Sequence, residues 1–132
     1  MDVYTAALYT PTEIKTAGDV LRNIPKSLIL HYHRPVKKEW ILKASHNRLK
    51  KNLGNNISAF EERLKTLDAA YQSVKKNDRY ELRYEPSVGT SLFLNDKLQV
   101  SIPGEDFQQA YFGIWFSEKP LNKKFRDKLL KT

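Results

Sequence analysis

The stretch from Arg79 to Ile102 constrains the fold more than any other part of the chain. Tyr80, Leu82 and Tyr84 alternate with Arg79, Glu81, Arg83 and Glu85, the period-two pattern of a strand with one face on a core and one in water. Pro86 to Gly89 make a turn. Leu92, Leu94, Leu98, Val100 and Ile102 then alternate with polar residues around Asn95-Asp96, which reads as a β-hairpin. Three consecutive strands joined by short turns form an antiparallel meander.

The remaining segments supply the other strands and the helices. Residues 2–9 alternate Val3, Thr5, Ala7 and Tyr9 against Tyr4, Ala6 and Leu8, a strand closely packed by neighbours. Pro11 and Thr12 open a helix to about Asn23, and Pro25 ends it. Ser27 to His33 is a strand with Leu28, Leu30 and Tyr32 on one face. Lys37 to about Leu53 reads as a basic helix, closed by Gly54-Asn55-Asn56. Ser58 and Glu61 have the spacing of a capping box that launches a helix to about Val74, with Phe60, Leu64, Leu67, Tyr71 and Val74 as its buried seam. Phe107, Ala110, Tyr111, Ile114 and Trp115 recur every three or four residues, an apolar stripe on a late helix, whose first turn holds the acidic Glu105 and Asp106 where the helix dipole favours them. Leu121 to Leu130 reads as a short closing helix. The order is β-α-β-α-α-β-β-β-α-α. With helices gathered on one side of an antiparallel sheet, this predicts one α+β domain over residues 1–132.

Composition narrows the chemistry. The chain has 132 residues and no cysteine, which excludes disulfides, thiol nucleophiles and cysteine-ligated metals. No apolar stretch approaches the roughly 20 residues needed to span a bilayer, and no secretory signal pattern follows Met1. The formal net charge of +8 is uneven: residues 34–51 hold seven basic residues and one acidic, residues 119–131 six basic and one acidic. Such patches suit an anionic partner, or are solvated helix faces. No helix-turn-helix, zinc knuckle or aromatic RNA-binding signature accompanies them, so no specific nucleic-acid partner is expected. No Gly-rich phosphate loop or nucleophile elbow is present, and no cofactor is expected. His31 and His33 share a strand face, and with His46 they offer three nitrogens, but no carboxylate spacing joins them. The expectation is no metal.

A more specific signal lies in the run Gly-Glu-Asp-Phe-Gln-Gln-Ala-Tyr-Phe-Gly-Ile-Trp-Phe-Ser-Glu-Lys-Pro, residues 104–120, preceded by the hairpin and by Ile102-Pro103. With Tyr4-Thr5-Ala6-Ala7-Leu8-Tyr9 at the other end, it resembles the bacterial chalcone-isomerase-like domain family, tightly at both ends and loosely in the middle. The resemblance implies an antiparallel sheet under a helical layer, with a ligand cleft between them. It also implies strands, and commonly an export signal, ahead of residue 2. The chain as written points to the cytoplasm and the resemblance to the periplasm. Without those strands the sheet would have an unpaired edge near residues 2–9.

The related plant enzymes close a chalcone to a flavanone, using hydroxyl donors and an ordered water to stabilise negative charge on the ketone oxygen, beside a cation. Carried over by position, Thr5 matches the strand threonine, Trp40 and Asn47 match a Tyr/Asn pair seven apart, and Ile114 takes the place of a hydroxyl residue. The arginine falls before Met1. Trp40 and Ile114 lack the hydroxyls of their counterparts, so two of five positions survive. Thr5 and Asn47 are the candidate catalytic donors, and Thr5, Trp40, Asn47 and Ile114 the candidate ligand-binding set. The same residues allow a plainer reading: Thr5 as a strand residue, Asn47 in water and Trp40 as a core anchor.

The leading expectation is therefore a non-catalytic domain that binds a small apolar or carboxylate-bearing ligand. Non-catalytic members of the wider superfamily bind fatty acids, holding the carboxylate with an Arg and a Tyr. One alternative is an intramolecular lyase or isomerase acting on an enone-like substrate, and another is a basic interaction protein for an anionic partner.

Overall fold

The computed structural model describes residues 3–130. Asp2, read above as the start of the first strand, and Lys131, counted in the basic tail, lie outside them. Five strands form one antiparallel sheet in the order β1-β2-β3-β4-β5: Tyr4–Tyr9, Lys26–Tyr32, Arg79–Glu85, Gly89–Leu94 and Lys97–Ile102. The helices are α1 (Ala17–Val20), α2 (Lys38–Leu53), α3 (Glu61–Ala70), α4 (Glu105–Phe116) and α5 (Lys123–Leu129).

Register sorts the side chains into two faces. Tyr4, Ala6 and Leu8 lie opposite Tyr32, Leu30 and Leu28, which in turn face Tyr80 and Leu82 across the next pair, and these meet Leu94 and Leu92. That face is the floor of the core, with Leu28, Tyr80, Leu82, Tyr84 and Leu92 buried. The other face carries Thr5, Ser27, His31, Glu81, Arg83 and Phe93, with Arg83 stacked 4.3 Å from the Phe93 ring centre. β1 pairs with β2 along one side, and α5 packs beside it through Phe125 and Leu129.

The hairpin turns where the sequence places it. Asn95 and Asp96 both have positive φ, 49° and 70°, the geometry whose twist matches the flanking strands. The alternation is broken at one point. A register shift between Leu92 and Phe93 pairs Leu92 with Val100 but Phe93 with Leu98. The bulge turns Leu98 out to 58% exposure, whereas alternation alone assigns it to the core.

Helix boundaries also depart from the periodicity. α1 is one turn, not a helix from residue 12 to 23, because Thr16 and Asp19 cap each other's backbone and fix the start at Ala17. Ser58 does not launch α3. It lies in the 3-10 turn 54–60 and donates to the Asn55 carbonyl. α3 stops at Ala70, and Val74 forms an isolated bridge with Val36, so the seam Leu64, Leu67, Tyr71, Val74 is buried across a helix end. α4 is buried nearly all round, Gln108 and Phe112 included, because it packs between α2 and the sheet; the five-residue stripe understates its contacts.

Candidate ligand-binding site

A cavity of about 200 Å³ lies between the inner face of the sheet and the helical layer. Its floor is Tyr4 of β1 with Leu30 and Tyr32 of β2. Trp40, Ile41, Ala44 and Ser45 of α2 form one wall, Tyr111, Ile114 and Trp115 of α4 the other, and Tyr71 and Leu121 complete it. α2 presents this row because residues three and four apart share a helix face. Trp40 and Leu121 are 51% and 38% exposed and flank the mouth, while Tyr32, Tyr71 and Tyr111 are buried inside. Larger depressions, such as one of about 680 Å³ beside Tyr9, Pro11 and Lys26, are open surface grooves at the sheet end.

The polar atoms inside are hydroxyls. Tyr71 and Tyr111 share a hydrogen bond of 2.9 Å, and Tyr4 accepts from Trp115 Nε1 at 3.1 Å. Ser45 donates to the Leu42 carbonyl on its own helix. Burial pushes the Tyr32, Tyr71 and Tyr111 phenols well above their ordinary range, because a phenolate there would lose its hydration. These hydroxyls stay protonated and serve as neutral donors and acceptors. No lysine, arginine or histidine is among the lining residues.

The four residues assigned from sequence do not converge. Trp40 and Ile114 face one another across this cavity. Thr5 lies on the opposite face of the sheet, exposed, paired in register with His31 and hydrogen-bonded to His33. A strand turns successive side chains to opposite faces, so the neighbour that enters the cavity is Tyr4. Asn47 is exposed to water and does not line the cavity, since the buried row of α2 is Ile41, Ser45 and Leu49. Trp40 is correspondingly no core anchor. The carried-over pair Thr5 and Asn47 is corrected on this geometry: the sheet and the helix stand between them.

The tyrosines are what sequence reasoning missed as a site. Tyr4, Tyr32 and Tyr111 were visible as strand or helix-stripe residues, and Tyr71 as a seam residue. Tyrosine at an inward position, where leucine would fill the space without a polar atom, was the available signal, because a buried phenol needs a partner.

Other polar clusters stand apart from the cavity. The buried Lys26 ammonium donates to Gln108 Oε1 at 2.6 Å and to the Arg22 carbonyl at 2.8 Å. His46 lies 2.7 Å from Asp68, whose carboxyl is raised by burial, an effect that His46 opposes. His31 and His33 stack on the outer face of the sheet, His31 bonded to Asn77. The three histidines thus have three separate partners, and no group of three candidate metal ligands occurs among the described residues. Asp106 does not cap α4 by itself: it forms a two-pronged pair with Arg63 at 2.8 and 2.9 Å and accepts from the Phe107 amide.

Comparison with known proteins supports the architecture. A solved fatty-acid binding protein of Arabidopsis thaliana superposes with a TM-score of 0.73 at 16% identity, covering 98% of this chain and 77% of the plant chain. At that identity the likeness concerns the fold. No curated protein matches by sequence. The family model described as chalcone isomerase-like matches residues 1–131, and with the meander, the helical layer and the intervening cavity in place, this chain belongs to the chalcone isomerase-like family.

Proposed function

We propose that this domain binds a small apolar molecule in the sheet–helix cavity and does not form flavanones. The observation that carries the reading is a space of about 200 Å³, walled by aromatic and aliphatic side chains and opening past Trp40 and Leu121. Ligand sites are concave and mostly apolar, with a few placed polar groups. The name of the plant protein of like fold agrees with such a use by analogy. Native mass spectrometry of the purified protein, with extraction of its lipids, tests it. A bound small molecule is expected, and Ile114→Phe, which fills the cavity, is expected to lose it. Repeated recovery of empty protein would overturn the reading.

The catalytic alternative draws on Thr5 and Asn47, and neither side chain lines the cavity. A chalcone incubated with the protein and followed by ultraviolet absorbance is expected to cyclise at its spontaneous rate. A faster rate would favour an isomerase.

A second binding reading rests on the mouth. Arg48 donates to the Lys119 carbonyl, which holds the segment leading to Leu121 against α2. Lys43, Lys50 and Lys51 on α2 and Lys119, Lys123 and Lys124 beyond α4 are exposed, on the two segments that also carry the exposed Trp40 and Leu121. Basic residues around exposed apolar side chains suit an anionic lipid surface. Flotation with phosphatidylserine vesicles is the test. Binding that weakens with salt and is lost in the Trp40→Ala/Leu121→Ala protein is expected; no binding at low ionic strength removes this reading.

A further inference from the structure

We infer that the cavity selects a neutral, compact molecule with an oxygen acceptor, received by the Tyr32 hydroxyl, over a carboxylate of the same size. The inference rests on the proposal that the cavity is the ligand site, and it names the ligand class.

Tyr32 is 3% exposed and stands on the cavity floor. Its hydroxyl has no hydrogen-bond partner among the described residues. The neighbouring phenols differ: Tyr71 and Tyr111 satisfy each other, and Tyr4 accepts from Trp115. The Tyr32 hydroxyl is not sealed in the protein but borders the cavity, where a ligand oxygen can accept its proton. Tyr4 keeps its proton too, since it only accepts from Trp115. Among the described residues, however, Tyr32 is the one phenol of the four whose hydroxyl meets no partner, which leaves both its proton and its lone pairs to a ligand.

An anion is disfavoured by the same surroundings. The lining contains no basic side chain. Burial here already opposes ionisation of Tyr32, Tyr71 and Tyr111, and it opposes an entering carboxylate for the same reason. A ketone, aldehyde, ether or phenol oxygen needs one donor and brings no charge. Size adds a second limit. A dry cavity of about 150 Å³ takes a benzene, so about 200 Å³ suits one ring with a short substituent.

Three matched probes separate the possibilities: acetophenone, benzoate and ethylbenzene, titrated against the full chain by saturation-transfer NMR near pH 7.5, where benzoate is ionised. Acetophenone is expected to bind about tenfold or more tighter than benzoate, since the charge finds no partner. It is expected to bind roughly threefold to tenfold tighter than ethylbenzene, the worth of one hydrogen bond. In Tyr32→Phe the advantage over ethylbenzene should vanish while ethylbenzene binds as before, which also shows that the variant is folded. Benzoate binding as well as acetophenone, or an advantage that survives in Tyr32→Phe, overturns the inference and leaves the apolar-ligand reading standing. Failure of all three probes, ethylbenzene included, overturns that reading itself.

Discussion

Lys26 of β2 and Gln108 of α4 meet at 2.6 Å beneath the helical layer, 82 residues apart in the chain. Gln108 turns its other end to the Leu21 carbonyl at 2.8 Å, and Lys26 reaches the Arg22 carbonyl. The pair thus ties α4, the short α1 segment and the sheet to one another. The Lys26 ammonium also lies over the rings of Tyr84 and Phe112, at 5.1 and 5.3 Å.

Because each partner leaves the other unsatisfied when removed alone, their substitutions should not add. Gln108→Leu is expected to cost roughly 1.5–3 kcal/mol, the range for hydrogen bonds to a charged group. Lys26→Met should cost about 1–3 kcal/mol through the orphaned acceptors. The double variant should be more stable than the sum of the two losses predicts. Urea unfolding of the four proteins measures the coupling, and strict additivity would show that the contact is incidental.

Burial lowers the Lys26 ammonium from 10.5 to about 8, a shift that Glu105 partly opposes. Between those values the unfolded chain binds more protons than the folded one, so stability from this group rises with pH across the window. Below about 8 both states hold the proton and the penalty is fully present. Unfolding followed from pH 7.5 to 9.5 should therefore show a steeper upward trend in the parent than in Lys26→Met. The window stops short of tyrosine ionisation: the raised Tyr32, Tyr71 and Tyr111 keep their protons in the fold after the unfolded chain has lost them, which lowers stability at higher pH.

Gly89 opens β4 with φ of 113°, and an added Cβ would lie 2.2 Å from the Ile102 carbonyl oxygen on β5. Both the backbone conformation and the contact with another main chain exclude a side chain. Gly89→Ala should lose about 3 kcal/mol or more, combining backbone strain with overpacking. Thermal denaturation with an unchanged midpoint would show that the strand ends can part.

Thr5→Val and Asn47→Ala should each shift stability by no more than about 0.5 kcal/mol, the usual range for surface changes. Retention of a bound small molecule should be unaffected, because neither side chain reaches the cavity. Loss of ligand in either variant, measured by native mass spectrometry, would reinstate the positions carried over from the plant enzymes.

Sequence by itself determined the faces of β2 and β3 and the place of the β4–β5 turn. Alternation ties each side chain to one side of a strand, and Asn95-Asp96 accept the positive φ that the turn requires. It also exposed the family, through the run 104–120 and the segment Tyr4–Tyr9. Only the tertiary structure decided the site. Leu30, Tyr32, Tyr111 and Ile114 have the same periodicity whether they close a core or line a cavity, because periodicity records which way a side chain points and not whether the space beyond it is filled. Nor does it record how a helix rolls against a sheet: that packing left Trp40 at the mouth and sent Asn47 into water, while the pairing of β1 with β2 decided which face of β1, that of Tyr4 or that of Thr5, lies under the helices.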